Sequence, residues 1–320
     1  MNRKRLFDLL KILVSLVLIV AILRSVNLQS LWAVVRHANP WYLLAAQLAL
    51  LLGVVVRAFR WQILVKDQGV EVPLRELTAL YFVGFLFNNL LPSGFGGDAV
   101  KMYELSRASN RRAEAVSSVL VDRYVGLLAL QAMGLIALAF SWRLVPTEIV
   151  ILTLVIFGVC LLTAWIVSYR PLWSFLAERV PVLRRVLSIK AVQSLVLSLQ
   201  SYSSSALLRA LGVGLVFNVL LIASNVLIGA ALGAELPLAY YMIFVPITSL
   251  VLLLPISFAG LGVREGTYVV LFSQAGMSPE VALSLSLMVY ALGTVVPGLI
   301  GGIVYLLRGA RGYQEAKLEA

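Results

Sequence analysis

Long apolar runs recur along this chain, each close to the length of about 20 residues that an α-helix needs to cross a bilayer. Short polar or basic segments separate them, and six of the runs predict membrane crossings. The predicted crossings are residues 6–23, 41–59, 119–141, 149–167, 211–232 and 281–307. None of these runs alternates apolar and polar residues as the strands of a membrane β-barrel do. The pattern therefore predicts an all-α, polytopic transmembrane helical bundle.

Two other apolar stretches, residues 77–103 and 238–272, are interrupted by proline and glycine, which break helices. We predict that each forms a re-entrant hairpin, which enters the bilayer and returns to its own side. Their centres, LLPSGFGGDAVKMYELSR and LLPISFAGLGVREGTYVV, align on their prolines without a gap. The equivalent pairs are Pro92 and Pro255, Phe95 and Phe258, Gly97 and Gly260, Val100 and Val263, and Lys101 and Arg264.

The two hairpins give both halves of the chain the same order of elements. Residues 1–143 and residues 147–308 each contain a crossing, a second crossing, a hairpin and a third crossing. An odd number of crossings would insert the second half upside down relative to the first. Inverted repeats with broken segments at matching positions are typical of transporters, whose substrate site lies where those segments meet. We expect residues 1–320 to form one membrane domain.

A basic interlude, residues 169–209, lies within the second half. An apolar residue recurs there at every fourth position, at Leu183, Leu187, Ala191, Leu195 and Leu199. This spacing predicts an amphipathic helix on the cytoplasmic membrane surface. A soluble helix packed on the loops is an equally open interpretation.

Composition and charge agree with a membrane protein and suggest its partners. The chain is 61% hydrophobic and 13% charged, with a net charge of +11. Of its 26 Lys and Arg residues, 19 fall in the segments predicted to face inward, which predicts that both termini are cytoplasmic. We expect the protein in the cytoplasmic (inner) membrane of a prokaryote. Anionic lipid headgroups are the expected partners. Nucleic acid is not, because the cations are divided among short loops.

Two motifs identify a resemblance. PSGFGGDAVKMYELSR at residues 92–107, followed by the pair Asp122-Arg123 and by Gly126, and P-x-S-F-x-G-L-G-x-R-E-G at residues 255–266, resemble the transmembrane region of lysylphosphatidylglycerol synthases. That region also occurs in stand-alone, flippase-like proteins. The resemblance implies movement of a charged lipid between leaflets, while aminoacyl transfer in the synthases belongs to a separate soluble domain. This chain ends thirteen residues after Leu307, so the resemblance implies translocation without synthesis and no enzymatic activity.

The candidate substrate-binding residues combine cations with a glycine-rich turn into a helix, since a phosphate needs positive charge and free N–H groups. They are Lys101, Arg264, Gly96, Gly97, Gly260, Gly262, Arg57 and Arg123. Snorkelling toward the headgroups would also account for Lys101 and Arg264. An interfacial belt beside Trp61 would account for Arg57 and Arg60.

Three carboxylates, Asp98, Asp122 and Glu265, are candidate coupling or gating groups, because ionisable residues at membrane depth are costly. Each has a simpler explanation: a helix cap for Asp98, pairing with Arg123 for Asp122, and pairing with Arg264 for Glu265. Hydrogen bonds across helices would explain Asn88, Asn89, Asn218 and Asn225, and close helix packing would explain Gly298, Gly301 and Gly302.

The function expected from these features is translocation of an anionic-headgroup lipid, such as a phospholipid or a polyprenyl-phosphate-linked lipid. A single histidine, His37, and a single cysteine, Cys160, argue against a metal site, and we expect no cofactor. Two alternatives remain open. One is a membrane-embedded transferase for a lipid-linked substrate, and the other is a non-transporting partner of a lipid-modifying enzyme or lipid-synthesis complex.

Overall fold

A computed structural model describes residues 28–91, 95–168, 189–253, 257 and 260–318. In these ranges every regular element is helical, which confirms the predicted all-α class. The α-helices are α1 (Leu28–Arg36), α2 (Pro40–Asp67), α3 (Leu74–Leu90), α4 (Gly96–Ser109), α5 (Arg112–Ser141), α6 (Thr147–Ser168), α7 (Lys190–Leu199), α8 (Ser204–Ala231), α9 (Leu238–Val251), α10 (Val263–Gln274), α11 (Pro279–Tyr290) and α12 (Val296–Leu318). A 3-10 turn (Trp142–Leu144) follows α5, and a π-helical turn (Ala291–Val295) joins α11 to α12.

Five helices in this part of the chain are long and apolar enough to cross a membrane. They are Pro40–Asp67, Arg112–Ser141, Thr147–Ile166, Ser204–Ala231 and Pro279–Arg308, with lengths of 20 to 30 residues. They coincide with five of the six predicted crossings, and the remaining one, residues 6–23, lies outside the described residues. The chain is an integral membrane protein.

The predicted end of the basic interlude is wrong. Helix α8 begins at Ser204, inside the predicted interlude 169–209 and before the predicted crossing at 211–232. The reason is a polar cap. The Ser203 hydroxyl accepts from the Ala206 N–H at 3.2 Å, and Asp67 accepts from the Ser203 N–H at 2.8 Å and from its hydroxyl at 2.7 Å. A helix begins where its first N–H groups find acceptors, and hydropathy does not mark that residue.

The helices of the two halves pair in a repeated manner. Helices α2 and α8 pack together along the centre of the bundle. Around them, α3 of the first half packs on α12, and α4 packs on α5. The corresponding contacts of the second half are those of α9 with α5 and of α10 with α11. The shorter α1 and α7 contact α11 and α5 in the same way. The inverted orientation of the halves and the re-entrant course of the hairpins stay predictions, because both depend on where the bilayer lies.

Glycines bring α3 against its two neighbours. A Cβ on Gly97 of α4 would overlap the backbone of Gly84, and a Cβ on Gly301 of α12 would overlap the Phe82 carbonyl. Both contacts are therefore backbone to backbone, as the sequence predicted for Gly301. The adjacent Gly302 is different, since its nearest neighbour would be the Leu86 side chain at an ordinary 3.7 Å. These contacts fix α3 between the broken segment and the last helix.

The contrast between these adjacent glycines predicts opposite effects of the same substitution. Gly301→Ala should destabilise the protein by about 1–3 kcal/mol, because α12 must move away from the α3 backbone. Gly302→Ala should be neutral or stabilising, since alanine favours a helix over glycine by about 1 kcal/mol. Thermal unfolding of both variants in detergent measures the difference. Equal unfolding temperatures would contradict the close contact.

Candidate functional site

A cavity of about 730 Å³ lies among α2, α3, α4, α5, α8, α9, α10, α11 and the π-helical turn. Charged side chains line it in unequal numbers, five cations against two carboxylates. They are Arg57, Arg60, Lys101, Arg123, Arg264, Asp98 and Asp122. The predicted pair Lys101 and Arg264 thus contributes to one cavity, one cation from each half of the chain. Charges are costly inside a membrane bundle, so a cluster of this kind points to a functional site.

A buried ion pair joins α2 to α5 beside the cavity. The Arg60 Nε donates to the Asp122 Oδ1 at 2.7 Å, with Arg60 3% and Asp122 2% exposed. The Tyr81 hydroxyl donates to the second carboxylate oxygen. Gly126 makes room for this arrangement, because a Cβ there would overlap the Arg60 guanidinium. The interpretation that Asp122 pairs with Arg123 is therefore wrong, since their side chains face different partners.

Asp98 anchors a second ion pair in the first turn of α4. Its carboxylate accepts from Lys101 at 2.9 Å and from Arg123. Two positively charged donors therefore stabilise the charged form of this carboxylate. The helix-cap interpretation is wrong, because Phe95 occupies the N-cap position without a side-chain cap bond.

Lys101 is buried, which excludes the interpretation that it snorkels to the surface. It is 6% exposed, and its Nζ lies 4.2 Å from the centroid of the Tyr81 ring and 5.4 Å from that of Trp61. Tyr81 therefore connects the two ion pairs. Its hydroxyl contacts Asp122, and its ring faces Lys101.

Arg57 is held by aromatic rings. Its Cζ lies 5.2 Å from the ring centroid of Tyr81, 5.0 Å from that of Phe85 and 4.8 Å from that of Phe217. Its buried Nε has no hydrogen-bond partner among the described residues. An interfacial belt does not explain this cation, because it faces the cavity. Aromatic faces offset part of the loss of hydration and leave the guanidinium N–H groups available for an anion.

The second half contributes Arg264 to the cavity. Its Cζ lies 4.2 Å from the centroid of the Tyr290 ring, and its Nη1 lies 3.8 Å from the Glu265 Oε1. Glu265 does not line the cavity, and its Oε2 accepts from the Gly262 N–H at 2.6 Å. Glu265 therefore stabilises the start of α10 and pairs at longer range with Arg264.

The predicted glycines differ in position. Gly97 lines the cavity, but its N–H donates to the Asn88 Oδ1 at 2.7 Å, so that donor is already used. Gly96, Gly260 and Gly262 are not among the lining residues. Gly260 and Gly262 instead have φ of +79° and +82°, which glycine adopts without strain. Pro92, Gly94, Pro255 and Phe258 of the motifs lie outside the described residues.

Three of the four asparagines predicted to bond across helices do so, among them Asn88 of α3, which accepts from the Gly97 N–H of α4. Asn89 donates to the Thr294 carbonyl of the π-helical turn at 3.1 Å, and Asn225 accepts from the Tyr268 hydroxyl at 2.7 Å. Asn218 lines the cavity, is 1% exposed, and neither of its amide atoms has a partner in the described part of the chain.

The sequence did not indicate Tyr81, Phe85 and Phe217. All three lie in apolar runs, where an aromatic residue is ordinary. Only the approach of α2, α3 and α8 makes them the walls around Arg57.

Comparison with known proteins agrees with the motifs. Residues 9–301 match the family described as the lysylphosphatidylglycerol synthase TM region. A UPF0104 membrane protein of Methanothermobacter thermautotrophicus is 25% identical over 312 residues, covering 90% of this chain and 89% of that protein. A UPF0104 membrane protein of Pyrococcus horikoshii is 20% identical over 321 residues, covering 93% of this chain and 96% of that protein. One from Methanocaldococcus jannaschii is 29% identical over 114 residues, 35% of this chain and 34% of that protein.

The buried ion pair makes a stability prediction. Asp122→Asn should destabilise the protein by about 3–5 kcal/mol, because it leaves the Arg60 charge buried without a counter-charge. Replacing both partners, as Arg60→Met with Asp122→Leu, should recover most of that loss. Thermal unfolding in detergent compares the three proteins. A single variant as stable as wild type would show that the pair carries no such constraint.

Proposed function

The chain belongs to the family of the lysylphosphatidylglycerol synthase TM region, and we propose that it translocates a lipid with an anionic headgroup between membrane leaflets. The observation that carries the proposal is the charge of the cavity, where five cations meet two carboxylates inside a membrane bundle. Asp122 pairs with Arg60, Asp98 is shared by Lys101 and Arg123, and Glu265 outside the lining pairs with Arg264, so five cations share three carboxylates. A bound phosphate would supply further negative charge.

Arg57 is the proposed centre of phosphate binding. It lies among three aromatic rings and makes no salt bridge with any described carboxylate. Lys101 and Arg264 add charge from the two halves, each facing a tyrosine ring. In this proposal the headgroup moves along the cavity from one cation to the next.

The proposed entrance lies between α4 and α5. Phe95 is 42% and Leu120 41% exposed, whereas most of the other lining residues are more buried. Arg123 stands at the same edge, with its Cζ 4.3 Å from the centroid of the Phe95 ring. Acyl chains would stay in the lipid outside this opening while the headgroup occupies the cavity. The Asp98–Arg123 ion pair is the proposed gate, because it joins the two helices at the opening.

We propose transport without a catalytic step. A transferase needs a carboxylate or other base that is free to accept a proton. Asp98 and Asp122 are each engaged by two donors of the protein, which favours a structural or gating role for both. The proposal places the protein in the cytoplasmic membrane with its ends in the cytoplasm, supported by the distribution of Lys and Arg.

Lipid exchange in vesicles tests this function. The purified chain is reconstituted into liposomes with phosphatidylglycerol that carries a fluorophore on one acyl chain, and an impermeant reductant bleaches the outer leaflet. Wild-type protein should expose inner-leaflet label that empty liposomes protect. Arg57→Gln should slow this exchange at least about tenfold, as expected when a cation that contacts an anion is removed.

Arg36→Gln is the matched control, because Arg36 is an exposed arginine outside the cavity and its loss should leave exchange unchanged. The same assay is run with phosphatidic acid and with a polyprenyl phosphate, with and without a proton gradient. Rates equal to those of empty liposomes for all lipids would refute translocation.

A further inference from the structure

Both carboxylates that line the cavity are already paired with cations of the protein, and this bears on which headgroups can bind. Asp122 accepts from Arg60 and from the Tyr81 hydroxyl. Asp98 accepts from Lys101 and from Arg123. An ammonium group on a lipid would have to share one of these carboxylates with a bound lysine or arginine, whose like charge repels it, or remain unpaired beside cations. Both outcomes are unfavourable in a buried site.

The unused hydrogen-bonding atoms of the cavity lie on one wall, formed by α2 and α8. The buried Nη1 of Arg60, the Nε of Arg57 and both amide atoms of Asn218 have no partner among the described residues. Phe217, next to Asn218, contacts Arg57, and a Cβ on Gly214 would lie 3.6 Å from the Arg60 Nη1. Gly214 and Asn218 are four residues apart and share one face of α8. Arg57, Arg60 and Asn218 therefore line the same cavity where α2 faces α8.

The chemistry of this wall differs from that of a simple phosphate site. Guanidinium groups donate only, which suits phosphate oxygens. The Asn218 amide can both donate and accept a hydrogen bond. A hydroxyl group on a ligand can also do both, so it is a suitable partner. Asn218 is 1% exposed, and a buried amide without partners is costly unless an occupant of the cavity binds it.

Resting on the proposed function, we propose that the headgroup is a phosphodiester with free hydroxyl groups, of the glycerol-phosphate or sugar-phosphate class. The phosphate binds Arg57 and Arg60, and a hydroxyl exchanges hydrogen bonds with the Asn218 amide. A headgroup that carries an amine, such as that of lysylphosphatidylglycerol, is disfavoured because each carboxylate among the described lining residues is already paired with a cation. The cavity thus selects against the aminoacylated lipid.

Competitive lipid binding tests this selectivity without requiring transport. The full chain in detergent is mixed with equal amounts of phosphatidylglycerol, phosphatidylinositol, phosphatidic acid and lysylphosphatidylglycerol, and retained lipids are counted by native mass spectrometry. The two hydroxylated anionic lipids should exceed the lysylated lipid at least about tenfold, the ratio expected when a buried charge lacks a partner. Preference for phosphatidylglycerol would indicate a glycerol headgroup, and preference for phosphatidylinositol a sugar-like one.

Asn218→Leu separates the hydroxyl contribution from the phosphate contribution. It should reduce retention of phosphatidylglycerol to that of phosphatidic acid, which lacks the glycerol hydroxyls, and leave phosphatidic acid unchanged. Gln47→Leu is the matched control, because Gln47 is also an amide with two buried unpartnered atoms but lies outside the cavity lining. Its loss should change none of the ratios.

Three outcomes overturn the inference. Lysylphosphatidylglycerol retained as well as phosphatidylglycerol would show that the engaged carboxylates do not exclude amines. An unchanged ratio of phosphatidylglycerol to phosphatidic acid in Asn218→Leu would show that the amide binds water and not a headgroup hydroxyl. Equal loss of phosphatidic acid in Asn218→Leu would show a disturbed site instead of a lost hydroxyl contact.

The vesicle assay is read independently. Selective binding without exchange would refute translocation and leave the assigned headgroup in place. Exchange of lysylphosphatidylglycerol in the same assay would support translocation and refute the assigned headgroup.

Discussion

The ion pair between Arg60 and Asp122 is the interaction on which the polar interior of this bundle depends. Both residues are almost fully buried, so neither charge is tolerable without the other. The pair requires α2 and α5 to approach closely, and Gly126 allows it. It also fixes Tyr81, whose hydroxyl donates to the same carboxylate and whose ring faces the Lys101 ammonium group. One buried contact thus orients the groups around the cavity.

Broken helices impose a second constraint, because irregular backbone at membrane depth must be buried in protein or face a wet cavity. In the predicted re-entrant course of the first broken segment, α3 would meet this requirement for the start of α4. Gly84 receives the backbone of Gly97 directly, and Asn88 accepts its N–H. On the opposite side Asn89 donates to the π-helical turn, and turns of this kind are frequent at functional sites. The helix that contacts both irregular segments also contributes a wall of the cavity.

The distribution of partners among the cations connects structure to function. Arg60, Lys101 and Arg123 bind carboxylates. Arg57 is instead stabilised by aromatic rings, which carry no negative charge that would neutralise it. A site that neutralises some of its cations and leaves another in an aromatic environment is suited to an anion that binds and leaves. If every cation of the cavity were paired with a carboxylate, the site would no longer attract an anion. If none were paired, the buried charges would make the empty cavity too costly.

The sequence by itself determined the helical membrane class, five described crossings, both broken segments and four of the five cavity cations, whereas it assigned Arg60 to an interfacial belt. These properties follow from local quantities, namely the length of apolar runs, the proline and glycine positions and the presence of charge where hydrocarbon is expected. The motifs also identified the family. The start of α8 was misplaced because a cap formed by Ser203 and Asp67, distant in the chain, fixes it.

Only the tertiary structure decided which charge faces which. Asp122 lies next to Arg123 in sequence, yet it binds Arg60 of another helix while Arg123 binds Asp98. Adjacent residues on a helix point in directions about 100° apart, so neighbours in sequence seldom pair and residues from packed helices do. The aromatic surroundings of Arg57 arise in the same way, from the approach of helices that no local pattern specifies. So does the burial of the Asn218 amide without a partner among the described residues.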